Sequence, residues 1–128
     1  MKTIAYICGP FSGSFYRRKR NIENANAVAL EFWKRGYAVL CPHANSGNLY
    51  KRGVAEELFL NGYLTFIKAF KSLSFVLVVL PGSEKSEGSM RELSLALECG
   101  HSIEYISRTQ LDEYKKNLWR SKKGVTYV

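Results

Sequence analysis

Cysteine, histidine, proline and acid are all scarce in this chain. Its 128 residues hold three cysteines, two histidines and three prolines, and 11 acidic side chains stand against 19 lysines and arginines. Cys8, Cys41 and Cys99 form an odd set without C-x-x-C spacing, in or beside apolar segments. That argues against a disulfide framework and for buried thiols in a reducing compartment. His43 and His101 are accompanied by no D-x-D and no cysteine–histidine cluster, so no metal is expected. G-x-G-x-x-G, G-x-x-x-x-G-K-[ST] and G-x-S-x-G are all missing, which removes the dinucleotide, P-loop and serine-hydrolase readings and leaves no cofactor implied. No apolar run approaches the roughly 18 residues of a membrane span, and MKTIAYICGPF is a poor signal peptide. Internal repeats and low-complexity segments are also missing, and the expectation is a cytoplasmic protein away from membranes.

What is present is apolar and basic. A hydrophobic content of 46% over this length suits one domain, residues 1–128. The formal charge of +8 and a pI near 9.5 favour an anionic partner, because a positive field concentrates phosphates, nucleotides or nucleic acid. The cations cluster in YRRKRN, Tyr16 to Asn21, read as an early loop, and in a C-terminal basic tail of about 114–128. Nucleic acid is disfavoured as the partner, since neither a recognition-helix motif nor an aromatic platform motif is present.

Hydrophobic periodicity orders the chain. TIAYIC (3–8) reads as a buried strand stopped by Gly9-Pro10. Ile22, Ala25, Ala29, Phe32 and Trp33 recur at helical spacing up to Gly36, and YAVLC (37–41) reads as a second buried strand. Residues 43–53 read as a loop, 54–72 as a helix with Leu60, Tyr63, Leu64, Ile67 and Phe70 on one side. FVLVVL (75–80) has the β-branched content of a strand buried on both faces. A helix with Leu93, Ala96 and Leu97 inward follows, then a strand at 102–106, a helix at 109–119 and a weak strand at 125–128. Alternating strands and helices predict an α/β fold, a flavodoxin-like or Rossmann-like parallel sheet of four to five strands with helices on both faces.

Such sheets bind ligands at the carboxyl ends of their strands, where GPFSG, PHANSGN and PGSEKSEG must converge. Gly9 and Pro10 open a turn able to offer backbone N–H groups to a phosphate. His43 and Asn45 follow a strand end and face the same edge. Ser86, Gly88 and Ser89 precede a helix, where free N–H groups favour an anion. Glu92 has two readings at this point: the partner of Ser89 in a capping box, or a reactive carboxylate.

With these loops in view the chain resembles the nucleoside 2-deoxyribosyltransferase-like family, which includes 2'-deoxynucleoside 5'-phosphate N-hydrolases. The likeness spans about residues 3–106. YICGPFSG is similar to the family's opening strand and phosphate loop, and RNIENANAVALEFWKRGYAVLCPHANSG to its helix, strand and P-H-x-N segment. LPGSEKSEGSMRELSLALECG matches S-x-G-x-x-x-E-x-x-x-A through Ser86, Gly88, Glu92 and Ala96. The resemblance implies that Glu92 attacks the anomeric carbon of a nucleotide or nucleoside and expels the base, through a glycosyl-enzyme ester. It implies that Ser86, Gly88, Gly9 and Pro10 hold the 5' end, that Tyr6 lines the cleft, and that the chain forms a homodimer or larger homo-oligomer. Where relatives commonly carry an aspartate in the acid/base position this chain has Tyr63, and where an aspartate opens the next strand it has Ser74. A phenol with an ordinary pKa near 10 is a poor base at neutral pH. Beside the disfavoured nucleic-acid reading of the two basic runs, two alternatives therefore stand: an N-glycosidic hydrolase or transferase with Tyr63 at the acid/base position, and a catalytically silent nucleotide-binding module.

Overall fold

A computed structural model describes residues 2–124, the side chains of 121–124 excepted. Four strands, β1 (Ile4–Cys8), β2 (Ala38–Leu40), β3 (Phe75–Val79) and β4 (Ser102–Tyr105), form one parallel sheet in the order β2-β1-β3-β4. Helices α1 (Phe15–Lys34) and α5 (Arg108–Gly124) cover one face. Helices α3 (Glu56–Ala69) and α4 (Glu87–Glu98) cover the other, and a short α2 (Pro42–Ser46) lies beside α1. The α/β expectation holds, with a flavodoxin-like strand order. Among the described residues no helix is long and apolar enough to cross a membrane.

Alternation along β1 splits the core in two. Ala5 and Ile7 pack under α1 and α5 with Val28 and Phe32, while Tyr6 and Cys8 face α3 and α4 with Tyr63, Ile67 and Ala96. Strand β3 is buried throughout because it lies inside the sheet, between β1 and β4. Strand β2 is an edge strand with Ala38 exposed, so the expectation of a buried second strand is corrected: apolar composition alone does not tell an edge from a centre. Trp33 and Leu97, expected inward, are more than half exposed.

Three boundaries also differ from expectation. YRRKRN lies within α1, whose start is capped by Ser14 Oγ accepting from the Arg17 N–H at 3.3 Å. That first turn is largely exposed and carries no buried apolar stripe, which is why it read as a loop. Part of the expected loop 43–53 is helix α2 followed by a 3₁₀ turn, Gly47–Leu49. Pro42 starts α2 with its preset φ, and the Cys41 carbonyl accepts from the Asn45 N–H at 2.9 Å. Helix α4 is capped by Ser86, not by Ser89. The expected strand at 125–128 lies outside the described residues.

Candidate functional site

Strands β1 and β3 are neighbours whose connections leave toward opposite edges of the sheet, and their carboxyl ends open a cleft of about 860 Å³. Two glycines allow the loops to close on each other there. A Cβ on Gly9 would sit 3.3 Å from the Leu80 side chain, and Gly82 turns at φ +89°. The Leu80 N–H donates to the Cys8 carbonyl at 2.9 Å, and the buried Ser83 hydroxyl donates to the Leu80 carbonyl at 2.7 Å.

Glu92 reaches this cleft from α4 and is only 7% exposed. It stands six positions past the Ser86 cap, so it does not close the capping box that the sequence offered. Instead the Tyr6 hydroxyl donates to Oε2, and the Cys8 thiol lies 3.8 Å from Oε1 and 3.6 Å from the Ser89 carbonyl. Burial pushes the Glu92 carboxyl up from 4.5 to about 7, against the opposing hydrogen bonds of Tyr6 and Cys8. Burial, with the carboxylate beside them, raises the pKa of both Tyr6 and Cys8, so each keeps its proton and remains a donor. The arrangement is an inward carboxyl group held by two donors and poised between its charged and neutral forms near pH 7.

The start of α4 forms the adjoining wall. Ser86 Oγ accepts from the Ser89 N–H at 3.3 Å, and its own proton stays available to a ligand. Gly88 is not required by packing, since a Cβ there would meet nothing nearer than Leu60 at 3.9 Å. Its missing side chain leaves the backbone open to the cleft. Ser89 is buried, and its hydroxyl has no partner among the described residues.

The opposite wall comes from α1, α2 and the turn after β1. His43 Nε2–H donates to the Pro10 carbonyl at 2.8 Å, and Asn21 Nδ2 donates to the Phe11 carbonyl at 3.2 Å. Burial lowers the His43 pKa, so the ring is neutral at neutral pH. Tyr63 lines the cleft from α3. Its hydroxyl donates to Ser46 Oγ at 2.7 Å and accepts from Asn45 Nδ2 at 2.9 Å. Of the expected site residues, Gly9, Pro10, His43, Tyr63, Ser86, Gly88 and Glu92 line the cleft. Tyr6 is fully buried behind it and reaches it through Glu92, and the exposed Asn45 reaches it through Tyr63.

Sequence reasoning missed four residues of one helical stripe. Arg17, Arg20, Asn21 and Asn24, spaced at three or four residues along α1, all line the cleft. Reading YRRKRN as helix would have placed them together. Lys85 and Arg108 add positive charge at the same opening, which Glu56, Glu57 and Glu87 also line. Cys8 was legible in principle, because period-two alternation puts it on the face of Tyr6.

Over residues 3–105 the chain matches the family described as Domain of unknown function (DUF4406), and it belongs to that family. No curated protein matches it.

Proposed function

We propose that this member of the family cleaves the N-glycosidic bond of a nucleoside 5'-monophosphate, with Glu92 as nucleophile. The observation that carries the reading is the Glu92 carboxyl itself: buried, aimed into the cleft, and held by Tyr6 and Cys8 rather than used as a helix cap. The match of Ser86, Gly88, Glu92 and Ala96 to the nucleoside 2-deoxyribosyltransferase-like signature supports it further. In the proposed reaction a Glu92 oxygen bonds to the anomeric carbon while the carbon–nitrogen bond breaks, its electron pair leaving with the base. The base takes a proton from the Tyr63–Ser46 hydroxyl chain on the cleft wall. Water then attacks the glycosyl ester and returns a proton to that hydroxyl chain, the sugar leaves and the carboxylate returns; a second base in place of water makes the step a transfer. The N–H groups at the start of α4 and the Ser86 hydroxyl hold the 5'-phosphate, and Arg17, Arg20, Lys85 and Arg108 supply its counter-charge.

A second reading, the same cleft binding a nucleotide without turnover, is favoured by Tyr63: a phenol stands where the nucleoside 2-deoxyribosyltransferase-like proteins that the chain resembles commonly have a carboxylate. Chromatography of reaction mixtures over a panel of nucleoside 5'-monophosphates separates the two. Free base is expected from the wild type and none from Glu92→Gln. Release at equal rates by both proteins would remove Glu92 from the chemistry, and nucleotide binding without release by the wild type would leave the second reading.

A further inference from the structure

Cys8 lies beside Glu92 but takes no step in the chemistry proposed above. It ends β1 and is 1% exposed, and period-two alternation turns it toward α3 and α4 on the face of Tyr6. There its thiol has one proton and two acceptors. The Ser89 carbonyl lies 3.6 Å from Sγ and Glu92 Oε1 lies 3.8 Å from it, the two residues being one turn apart on α4. The titratable groups around the thiol are Glu92 on α4, Tyr6 on its own strand and, behind Tyr6, Tyr63 on α3; its partner in register on β3 is the apolar Val79. Burial, with Glu92 beside it, keeps the proton on sulfur, so Cys8 acts as a donor and not as a nucleophile.

The two oxygens of Glu92 are held unequally. Oε2 accepts from the Tyr6 hydroxyl, whereas Oε1 accepts from a thiol, which is a weak donor. The less stabilised oxygen is the more basic, so Oε1 is the one that takes a proton or an electrophilic carbon. A thiol with no acceptor but Oε1 would then be a buried donor left unpaired, which costs free energy. The Ser89 carbonyl prevents this, because rotation about the Cβ–Sγ bond carries the proton from one acceptor to the other. We infer that Cys8 is a positioning residue whose thiol proton follows the charge on Glu92, donated to Oε1 while the carboxylate is ionised and to the Ser89 carbonyl once Oε1 is protonated or esterified. The switch stands on the geometry of β1 and α4, and its part in turnover rests on the proposed reaction. There the thiol and Tyr6 hold both carboxylate oxygens before the attack, and the thiol then releases Oε1 without being stranded.

The S–H stretching band lies in a spectral window clear of other protein groups, and it moves to lower frequency as the hydrogen bond strengthens. Infrared difference spectra of the wild type, recorded from the acid to the alkaline side of neutrality, follow Cys8 by this band and Glu92 by the C=O stretch of its protonated carboxyl. Cys8→Ala identifies the first band against the thiols of Cys41 and Cys99, and Glu92→Gln identifies the second. The Cys8 band is expected to move to lower frequency in step with the loss of the Glu92 C=O band, because a charged acceptor makes the stronger hydrogen bond. In Glu92→Gln it should stay fixed. In base release, Cys8→Ala should raise the pH midpoint by about 0.5 to 1 unit, and Cys8→Ser, which keeps a donor, should raise it less. A Cys8 band that stays fixed while Glu92 ionises, or an unmoved midpoint in Cys8→Ala, would overturn the inference and leave the glycosidase reading standing. A moving band without base release from any nucleotide would uphold the switch and end the glycosidase reading. A Glu92 carboxyl that keeps its proton at every pH at which the protein is folded would end both.

Discussion

At the scale of single residues, the protonation of Glu92, the proposed nucleophile, sets two measurable pH dependences. A nucleophilic carboxylate must be ionised, and burial brings its pKa to about 7, so base release should rise with pH to a plateau, with a midpoint near 7. The Tyr6 hydroxyl favours the charged form, so Tyr6→Phe should move that midpoint to higher pH. A pH–rate profile of the two proteins checks this; an unmoved midpoint would mean that Tyr6 does not tune the carboxylate. Stability follows the same proton. Between pH 4.5 and about 7 the folded protein holds a proton on Glu92 that the unfolded chain has released, so this group's contribution falls as pH rises through that window and is flat above it. Glu92→Gln has no such loss. It should be more stable than the wild type at pH 8, by up to about 3 kcal/mol at about 1.4 kcal/mol per pH unit, with the gap closing toward pH 4.5. Denaturant titrations at both pH values measure the difference. A lost cap would instead destabilise the variant by about 0.5–2 kcal/mol.

At the scale of elements, the legible parts were those with a strong apolar run or repeat. Strands β1 and β3 stood out as short continuous apolar runs, and helices α3 and α4 as apolar repeats at three and four, because these residues face a filled core. The first turns of α1 and the whole of α2 were hidden for opposite reasons. The turn Phe15–Arg20 faces solvent and the cleft and so has no apolar stripe, and five-residue α2 is too short to show one. Both elements wall the cleft, which explains why Glu92, Ser86 and Gly88 could be named from sequence while Arg17, Arg20 and Asn24 could not. Tyr63 joins these elements, since its hydroxyl ties α3 to α2 through Asn45 and Ser46. Tyr63→Phe keeps the ring in its packed position and removes only those bonds. If the hydroxyl chain delivers the proton to the departing base, base release should fall by about 10²–10⁴-fold, while the loss of stability stays within about 1–3 kcal/mol. Kinetics and a melting curve on the same sample give both numbers. A fall in activity of under about tenfold would restrict Tyr63 to holding α2 in place.

At the scale of the whole molecule the net charge is +8, and the mouth of the cleft carries both signs, five cations beside the exposed carboxylates of Glu56, Glu57 and Glu87. Of the net +8, cations from α1 (Arg17, Arg20), from the turn before α4 (Lys85) and from the start of α5 (Arg108) line the same opening, although they are far apart in sequence. Arg91 lines it too but is paired with Glu57 at 3.1 Å. Exposed charges act through solvent, so their pull on an anion is screened once the Debye length, about 10 Å at 0.1 M salt, shrinks below the width of the cleft. Raising salt from about 0.05 M to about 0.5 M should therefore weaken a nucleoside monophosphate by roughly tenfold. The matching nucleoside, which carries no phosphate, should change by less than about twofold. In the double variant Arg17→Ala, Arg20→Ala the slope for the monophosphate should flatten and affinity should drop most at low salt, because these two side chains supply part of the field rather than the direct hydrogen bonds to phosphate. Titration calorimetry across the salt series distinguishes the cases. Parallel slopes for nucleoside and monophosphate would show that the basic rim does not act on the ligand's phosphate, and the excess positive charge would then need a partner outside the cleft.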